Sequence, residues 1–355
     1  MTSTDQTFLL ASGYSTADQA GIRAFLFDES TGALTARGSF AGINAPSFLI
    51  IHPNKQWLYA VSETGQSSHG AFGEVWAFQV EREPFRLQPL NRQTSRGDWP
   101  CHLQLDGTGR WLMTTNYGTG SAALYPLLPD GSLGDMSDFV QHAGRGPNVE
   151  RQEGPHAHSS IFVPDNRFVI IADLGIDQLV IYEFDGTAGK LLQHSTARSQ
   201  PGAGPRHLVF HPNATWFYAA NELASTVTFY EYDAVQGLLI ERQSFPTLPP
   251  DSPENIVADI HLSANAERLY VSNRGHNSIA VFDVNGNGSL SLVSIPACGG
   301  NWPRNFALSS NGGFVLVANE YSNEICVLPC LEGREALGAP VSRSAVTGAS
   351  CIQFA

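Results

Sequence analysis

Gly204-Pro-Arg-His-Leu-Val-Phe-His-Pro, turned back through a short polar loop and answered by Phe217-Tyr-Ala-Ala-Asn221-Glu222, is the phrase that decides how this chain folds. A proline leads into an apolar strand, a Pro/Asp/Asn/Gly turn reverses it, and a second apolar strand stops on a polar dipeptide. The same phrase recurs from Pro46-Ser-Phe-Leu-Ile-Ile-His-Pro to Glu63, from Pro100-Cys-His-Leu-Gln-Leu to Asn116-Tyr117, and from Pro155-His-Ala-His-Ser-Ser-Ile-Phe to Asp173-Leu174. It returns twice more, from Asp259-Ile-His-Leu-Ser to Asn273-Arg274 and from Pro303-Arg-Asn-Phe-Ala-Leu to Asn319-Glu320. Self-similarity at a fixed period settles architecture before any single motif settles chemistry.

The copies are roughly 45 to 55 residues apart, the length of one four-stranded propeller blade. A third strand follows each copy, as in Leu179-Val-Ile-Tyr-Glu-Phe and Val227-Thr-Phe-Tyr-Glu-Tyr, rich in β-branched and aromatic residues. A fourth comes after a turn such as Asp130-Gly-Ser-Leu or Gly286-Asn-Gly-Ser-Leu. The chain ends do not match the phrase. Thr7-Phe-Leu-Leu-Ala-Ser-Gly-Tyr and Ile22-Arg-Ala-Phe-Leu-Phe-Asp read as second and third strands lacking a first, and Ser350-Cys-Ile-Gln-Phe-Ala is a strand lacking a blade. Pairing them closes a seventh blade and removes the open edges of an unclosed array. The expectation is an all-β, seven-bladed propeller of four-stranded antiparallel blades, one domain over residues 1–355.

Thirty-three acidic residues against 20 basic ones leave a net charge of −13, and the basic residues form no run, which argues against nucleic acid and anionic membrane as partners. The first residues, Met1 to Thr7, lack a basic region followed by a long apolar core, and no stretch is long enough to span a bilayer. A cytoplasmic protein, monomeric or weakly self-associating, is expected. Cys101, Cys298, Cys326, Cys330 and Cys351 are scattered, and the Cys326/Cys330 pair has no second pair to complete a metal site, so all five read as structural thiols.

The start of the first strand of an antiparallel pair lies beside the end of the second, so the two polar ends of the phrase meet. Every blade delivers its ends to one mouth of the central channel. His102, Asn116, His156, His158, Asp173, Arg206, His207, Glu222, His261, Arg274, Arg304, Asn319 and Glu320 are thereby expected together. Asn116, Asp173 and Asn319 have a bland reading as turn formers that bond their own backbone. Arg206, Arg274 and Arg304 are read as occupying corresponding positions of three successive blades, a cluster suited to gripping a carboxylate or phosphate. Alternation along a strand places His156 and His158 on one side, the geometry of a base with its orienting partner or of a metal pair to which Asp173 and Glu222 could add ligands. Glu222 is the candidate catalytic carboxylate, with neutralisation of Arg206 or Arg274 as its bland alternative. No Gly-x-Ser-x-Gly elbow and no phosphate-cradling Gly-rich loop occurs, so the chemistry would use water or an internal group, with no covalent serine or nucleotide; no cofactor is expected, and the nearby arginines, which would repel a cation, argue against a metal.

In combination, Gly154-Pro-His-Ala-His-Ser, Gly204-Pro-Arg-His-Leu-Val-Phe-His-Pro, Ser272-Asn-Arg-Gly-His-Asn-Ser and Trp302-Pro-Arg-Asn-Phe closely resemble the seven-bladed propeller lactonase family. That family holds bacterial 6-phosphogluconolactonases of the propeller type and fungal 3-carboxy-cis,cis-muconate lactonizing enzymes. The resemblance covers essentially the whole chain and implies catalytic residues at His156 or His158, Arg206, Glu222 and Arg274. His102, Asp173, His207, His261, Arg304 and Glu320 are carried as substrate-binding candidates. The pattern departs at Asn305, where members often carry His, which weakens a catalytic role for that blade. The resemblance implies lactone chemistry on a small anionic substrate, hydrolysis of 6-phospho-D-glucono-1,5-lactone in the first reading, with muconate lactonization or hydrolysis of another lactone as alternatives; apart from the resemblance, propellers also serve as scaffolds, and a mouth that binds without turnover is the third reading.

Overall fold

The computed structural model describes residues 6–331, 333 and 335–355. Most of the amino-terminal stretch read for a targeting signal lies outside them. The phrase that opens at Pro205 folds as two antiparallel strands, Pro205–Phe210 and Trp216–Asn221, with Thr226–Asp233 and Leu238–Pro246 added outside them. Seven such four-stranded sheets form. Blade 1 contains Gln6–Gly13, Ile22–Asp28 and Leu34–Phe40, and blades 2 to 7 begin at Leu49, Pro100, Ala157, Pro205, Ile256 and Pro303. The carboxy-terminal strand Ala349–Phe354 pairs with Gln6–Gly13 as the innermost strand of blade 1, matching Leu9 with Phe354 and Ser12 with Cys351. Each inner strand touches the next, and Ala349–Phe354 touches both blade 7 and blade 2, so the ring is closed.

The core explains why these strands read as continuous apolar runs rather than alternating ones. Each blade is a sheet buried on both faces. Along Trp57–Ser62, Leu58 and Ala60 enter the cluster shared with blade 1, while Tyr59 and Val61 enter the cluster shared with blade 3. Seven apolar clusters lie this way, one between each pair of neighbours. The fourth strand of blade 3 begins later than the Asp130 turn suggests. Leu133 makes only an isolated bridge to Leu127, and the outer strand is Asp138–Gln141. Cys326, Cys298 and Cys351 pack inside the clusters, and all five cysteines are free. No helix among the described residues is long and apolar enough to cross a membrane.

Candidate functional site

A defect repeated around the ring builds the site. In blades 3, 4, 5 and 7 the register slips one residue into the inner strand, between Pro100 and His102, Ala157 and Ser159, Pro205 and His207, and Pro303 and Asn305. Blade 6 slips between Val257 and Ile260, and blade 1 skips Ser350. A β-bulge leaves its extra residue unpaired and re-aims that side chain. The extra residues are Cys101, His158, Arg206, Arg304 and Ser350. Immediately past the paired end of the second strand stand Tyr117, Glu222 and Glu320; in blade 6 the residue after the matching Asn273 is Arg274, which there still pairs with Ile256. Arg274 therefore corresponds to Glu222 and not to Arg206 and Arg304. The expected three-arginine register is corrected to two bulge arginines and one from the facing strand.

These side chains meet in a cavity of about 230 Å³, with Glu63, Tyr117, Arg151, His158, Glu222, Arg274 and Arg304 in its wall. Glu222 anchors it. Its Oε1 accepts from Arg151 Nη2 at 2.5 Å and its Oε2 from Arg274 Nη2 at 2.6 Å, and Arg206 Nε lies 3.0 Å from Oε2. Arg206 Nη1 also donates to the Ala258 carbonyl at 2.7 Å, and Arg274 Nη2 to that of Val257 at 2.9 Å. Arg274 lies 5.7 Å above the Trp302 ring. Arg304 donates to the Tyr14 hydroxyl, sits 4.9 Å over that ring, and approaches the Glu320 carboxylate at 3.5 Å.

Burial and the arginine field together set the protonation states. Burial alone would raise Glu222, but Arg274, Arg206 and Arg151 override it and hold the carboxyl at about 2. Burial and the positive charge of Arg274 bring Arg206 down to about 10. His158 is pushed well below the usual imidazole range by burial, then by Arg206, His207, Arg304 and Arg274, so the ring is neutral at pH 7. Glu63 goes the other way, raised chiefly by burial against the opposing pull of Arg304. One carboxylate in the cavity is thus fixed as an anion while another is biased toward its neutral form.

His158, Glu222, Arg274 and Arg304 reach the cavity wall as expected, with Arg206 directly behind Glu222 and Glu320 beside Arg304. Others do not. His156 precedes the strand, and the bulge at His158 breaks the alternation that would have aligned the two rings. It stacks on Tyr117 at 4.5 Å and bonds the Tyr117 carbonyl through Nδ1 at 2.8 Å, outside the cavity lining. Asp173 turns into its blade, accepting from the backbone N–H of His156 and Gly175 and lying 2.6 Å from His142 Nδ1. Asn116 is likewise spent on the Ser95 carbonyl and the Ser121 hydroxyl, and Asn319 accepts from the Cys298 thiol, so both side chains are taken up by neighbouring segments rather than by their own backbone. His102, His207 and His261 line a second cavity of about 230 Å³ further along the channel, where Asp259 lies 2.6 Å from His207 and 2.9 Å from His261.

Sequence reasoning passed over Tyr14, Glu63, Tyr117 and Arg151. Glu63 and Tyr117 stand where Glu222 does, so comparing phrase ends alone would have found them. Arg151 sits in the long connection between blades 3 and 4, outside any repeat, and carries no such signal. Among the described residues, no group of His, Cys, Asp and Glu is arranged to hold a metal ion.

The family model described as "Lactonase, 7-bladed beta-propeller" matches residues 8–354. A 6-phosphogluconolactonase of Bacillus subtilis is 34% identical over 316 residues, 88% of each chain. Another 6-phosphogluconolactonase, from Formosa agariphila, is 33% identical over 315 residues, 86% of this chain and 87% of that one. Among solved structures, the periplasmic gluconolactonase of Pseudomonas aeruginosa is 29% identical with a TM-score of 0.91, covering 98% of this chain and 99% of its own.

Proposed function

The chain belongs to the seven-bladed β-propeller lactonase family and is a lactone-hydrolysing enzyme acting on a sugar lactone; we propose that its substrate is 6-phospho-D-glucono-1,5-lactone, opened to 6-phosphogluconate. The observation that carries the choice of an anionic lactone is the charge of the cavity. Among the described residues Arg151, Arg206, Arg274 and Arg304 face Glu222, Glu320 and a Glu63 biased toward neutrality, four cations against three carboxyls, in a protein whose net charge is −13. Such a surplus of guanidinium favours a phosphate, which a planar fork can grip through two bonds.

Arg151 and Arg274, toward the Glu222 side, take the phosphate in this reading, and Arg304 polarises the lactone carbonyl, stabilising the charge that grows on its oxygen. His158 is the base. Its ring is neutral and lines the cavity, whereas both oxygens of Glu222 are already occupied by guanidinium groups. Burial depresses His158 most and the arginine charges add to it; bound phosphate offsets the second of these and makes the ring more basic as the substrate arrives. Glu222 and Arg206 then position Arg274. A phosphorylated sugar does not cross a bilayer unaided and the cysteines are free, which together favour a cytoplasmic location.

Initial rates with 6-phosphogluconolactone, gluconolactone and 3-carboxy-cis,cis-muconate test this, each corrected for spontaneous reaction. The phosphorylated lactone should be preferred. Arg151→Ala, at a half-exposed position, should lower its kcat/KM by about 10- to 100-fold, the worth of a charge-assisted hydrogen bond, while leaving gluconolactone nearly unchanged. Equal turnover of both lactones by the wild type would reject the phosphate assignment, and turnover of the muconate alone would replace hydrolysis by ring closure.

A further inference from the structure

Two carboxylates share the cavity, and they are held in opposite ways. Both oxygens of Glu222 are occupied by guanidinium groups. Glu63 makes no ion pair within 4 Å among the described residues. Its Oε2 accepts from the Tyr14 hydroxyl at 2.7 Å and from the Ser47 hydroxyl, while its Oε1 has no hydrogen-bond partner among the described residues and the side chain lines the cavity. The backbone is fixed as well, since the Glu63 N–H donates to the Ala45 carbonyl at 3.0 Å. A carboxyl clamped by one oxygen, with the other turned to the space where substrate would lie, is built to present a proton.

Resting on the lactonase reading above, we propose that Glu63 is the general acid of the reaction, donating its proton from Oε1 to the ring oxygen of the lactone as the ester bond breaks. Water attacks the carbonyl carbon and gives its proton to His158. The carbonyl oxygen takes up the electron pair, which then returns to expel the ring oxygen. That oxygen would leave as an alkoxide, a poor leaving group, unless Glu63 protonates it. The products are a hydroxyl and a carboxylic acid, the acid loses its proton to solvent, and the His158 proton restores Glu63. Atoms and charge balance without any other reactant.

The charged and titratable neighbours of Glu63 are consistent with this role. Burial favours its protonation most and Glu320 adds to it, Arg304 and the hydrogen bonds from Ser47 and Tyr14 to Oε2 oppose it, and the net direction is upward, which leaves Oε1 as the oxygen to carry the proton. Tyr14, itself raised by burial, stays a neutral donor. Groups whose environments push their proton affinities apart within one site are the usual pattern of an acid and its counterpart.

Glu63→Gln keeps the shape of the side chain and its contacts with Tyr14 and Ser47. Its kcat on the preferred lactone should fall about 100-fold, within the span of general acid catalysis, with the Kd for 6-phosphogluconate changed less than threefold. The alkaline fall of the wild-type kcat profile, which reports ionisation of the acid, should vanish in the variant. A 5-thio analogue of the lactone, whose thiolate leaves without a proton, should lose under fivefold. A variant with kcat within twofold of wild type, or equally impaired on oxygen and sulfur leaving groups while still binding product, overturns the role. If Glu63→Gln no longer binds product, Tyr14→Phe and Ser47→Ala decide: each should shift the alkaline limb, and an unmoved limb overturns the role. A wild type that opens no sugar lactone overturns the parent reading and this one together.

Discussion

Glu222 illustrates how much one buried side chain is asked to hold. Three guanidiniums converge on it, two of them almost fully buried, and each would be an uncompensated charge without it. Breaking such a network from one side costs roughly 3–5 kcal/mol. Glu222→Gln should therefore destabilise the fold by about 3 kcal/mol at pH 7, and the pH dependence gives the check. The folded-state pKa is depressed, so the stability it contributes is present above the unfolded value near 4.3 and disappears as pH falls toward about 2. Urea unfolding of wild type and variant should show a gap at pH 7 that narrows below pH 4.5, and a gap independent of pH would mean the ion pairs are not its source. The sequence singled out Glu222, His158, Arg206, Arg274 and Arg304 because they interrupt a repeat. It misjudged His156 because a one-residue bulge leaves no mark in composition, while the register of Arg274 was legible, since Asn273-Arg274 ends its phrase just as Asn221-Glu222 does. Asp173 was a fair candidate by type, but the same strand end that sends Glu222 to the cavity sends the residue before it into the blade.

The hairpins that carry these residues share one device. In blades 2 to 7 the inner turn closes with a backbone N–H that donates to the carbonyl three residues before it, four residues past the strand end, on a residue of positive φ: Lys55, Gly109, Asn166, Ala214, Ala266 and Gly312. A left-handed L-residue costs about 1–2 kcal/mol, and glycine's extra chain entropy returns about 0.5–1 of that. Ala214→Gly should stabilise by roughly 0.5–1 kcal/mol. Gly312→Ala should destabilise by about 1 kcal/mol through φ alone, because a Cβ there meets no atom within 4 Å. Thermal melting reads both, and two neutral variants would show that these turns are not held left-handed. Blade count, strand order and terminal closure were all legible, since each follows from the phrase and its two unmatched ends. The late outer strand of blade 3 was not, because Asp130-Gly-Ser-Leu has the composition of a strand entry but is used as a tight turn with a single bridge.

At the scale of the whole molecule the charges conflict. The protein carries −13 overall, yet the cavity it offers to an anion is lined by arginines. A dianionic lactone approaching at about 0.01 M salt, where the Debye length is ~30 Å, feels the repulsion of the entire ring. At about 0.15 M the length is ~8 Å, the distant acids are screened, and the near guanidiniums, being buried, are screened least. The association step should therefore speed up with moderate salt rather than slow down. We expect kcat/KM for the phosphorylated lactone to rise a few-fold between those two sodium chloride concentrations, with kcat unchanged and gluconolactone insensitive. A steady fall over the same range would mean that the arginine field reaches beyond the mouth and governs capture from a distance. The opposite slope therefore separates a site that attracts its substrate from one that only retains it, and the second is what a positive cavity in an acidic propeller implies.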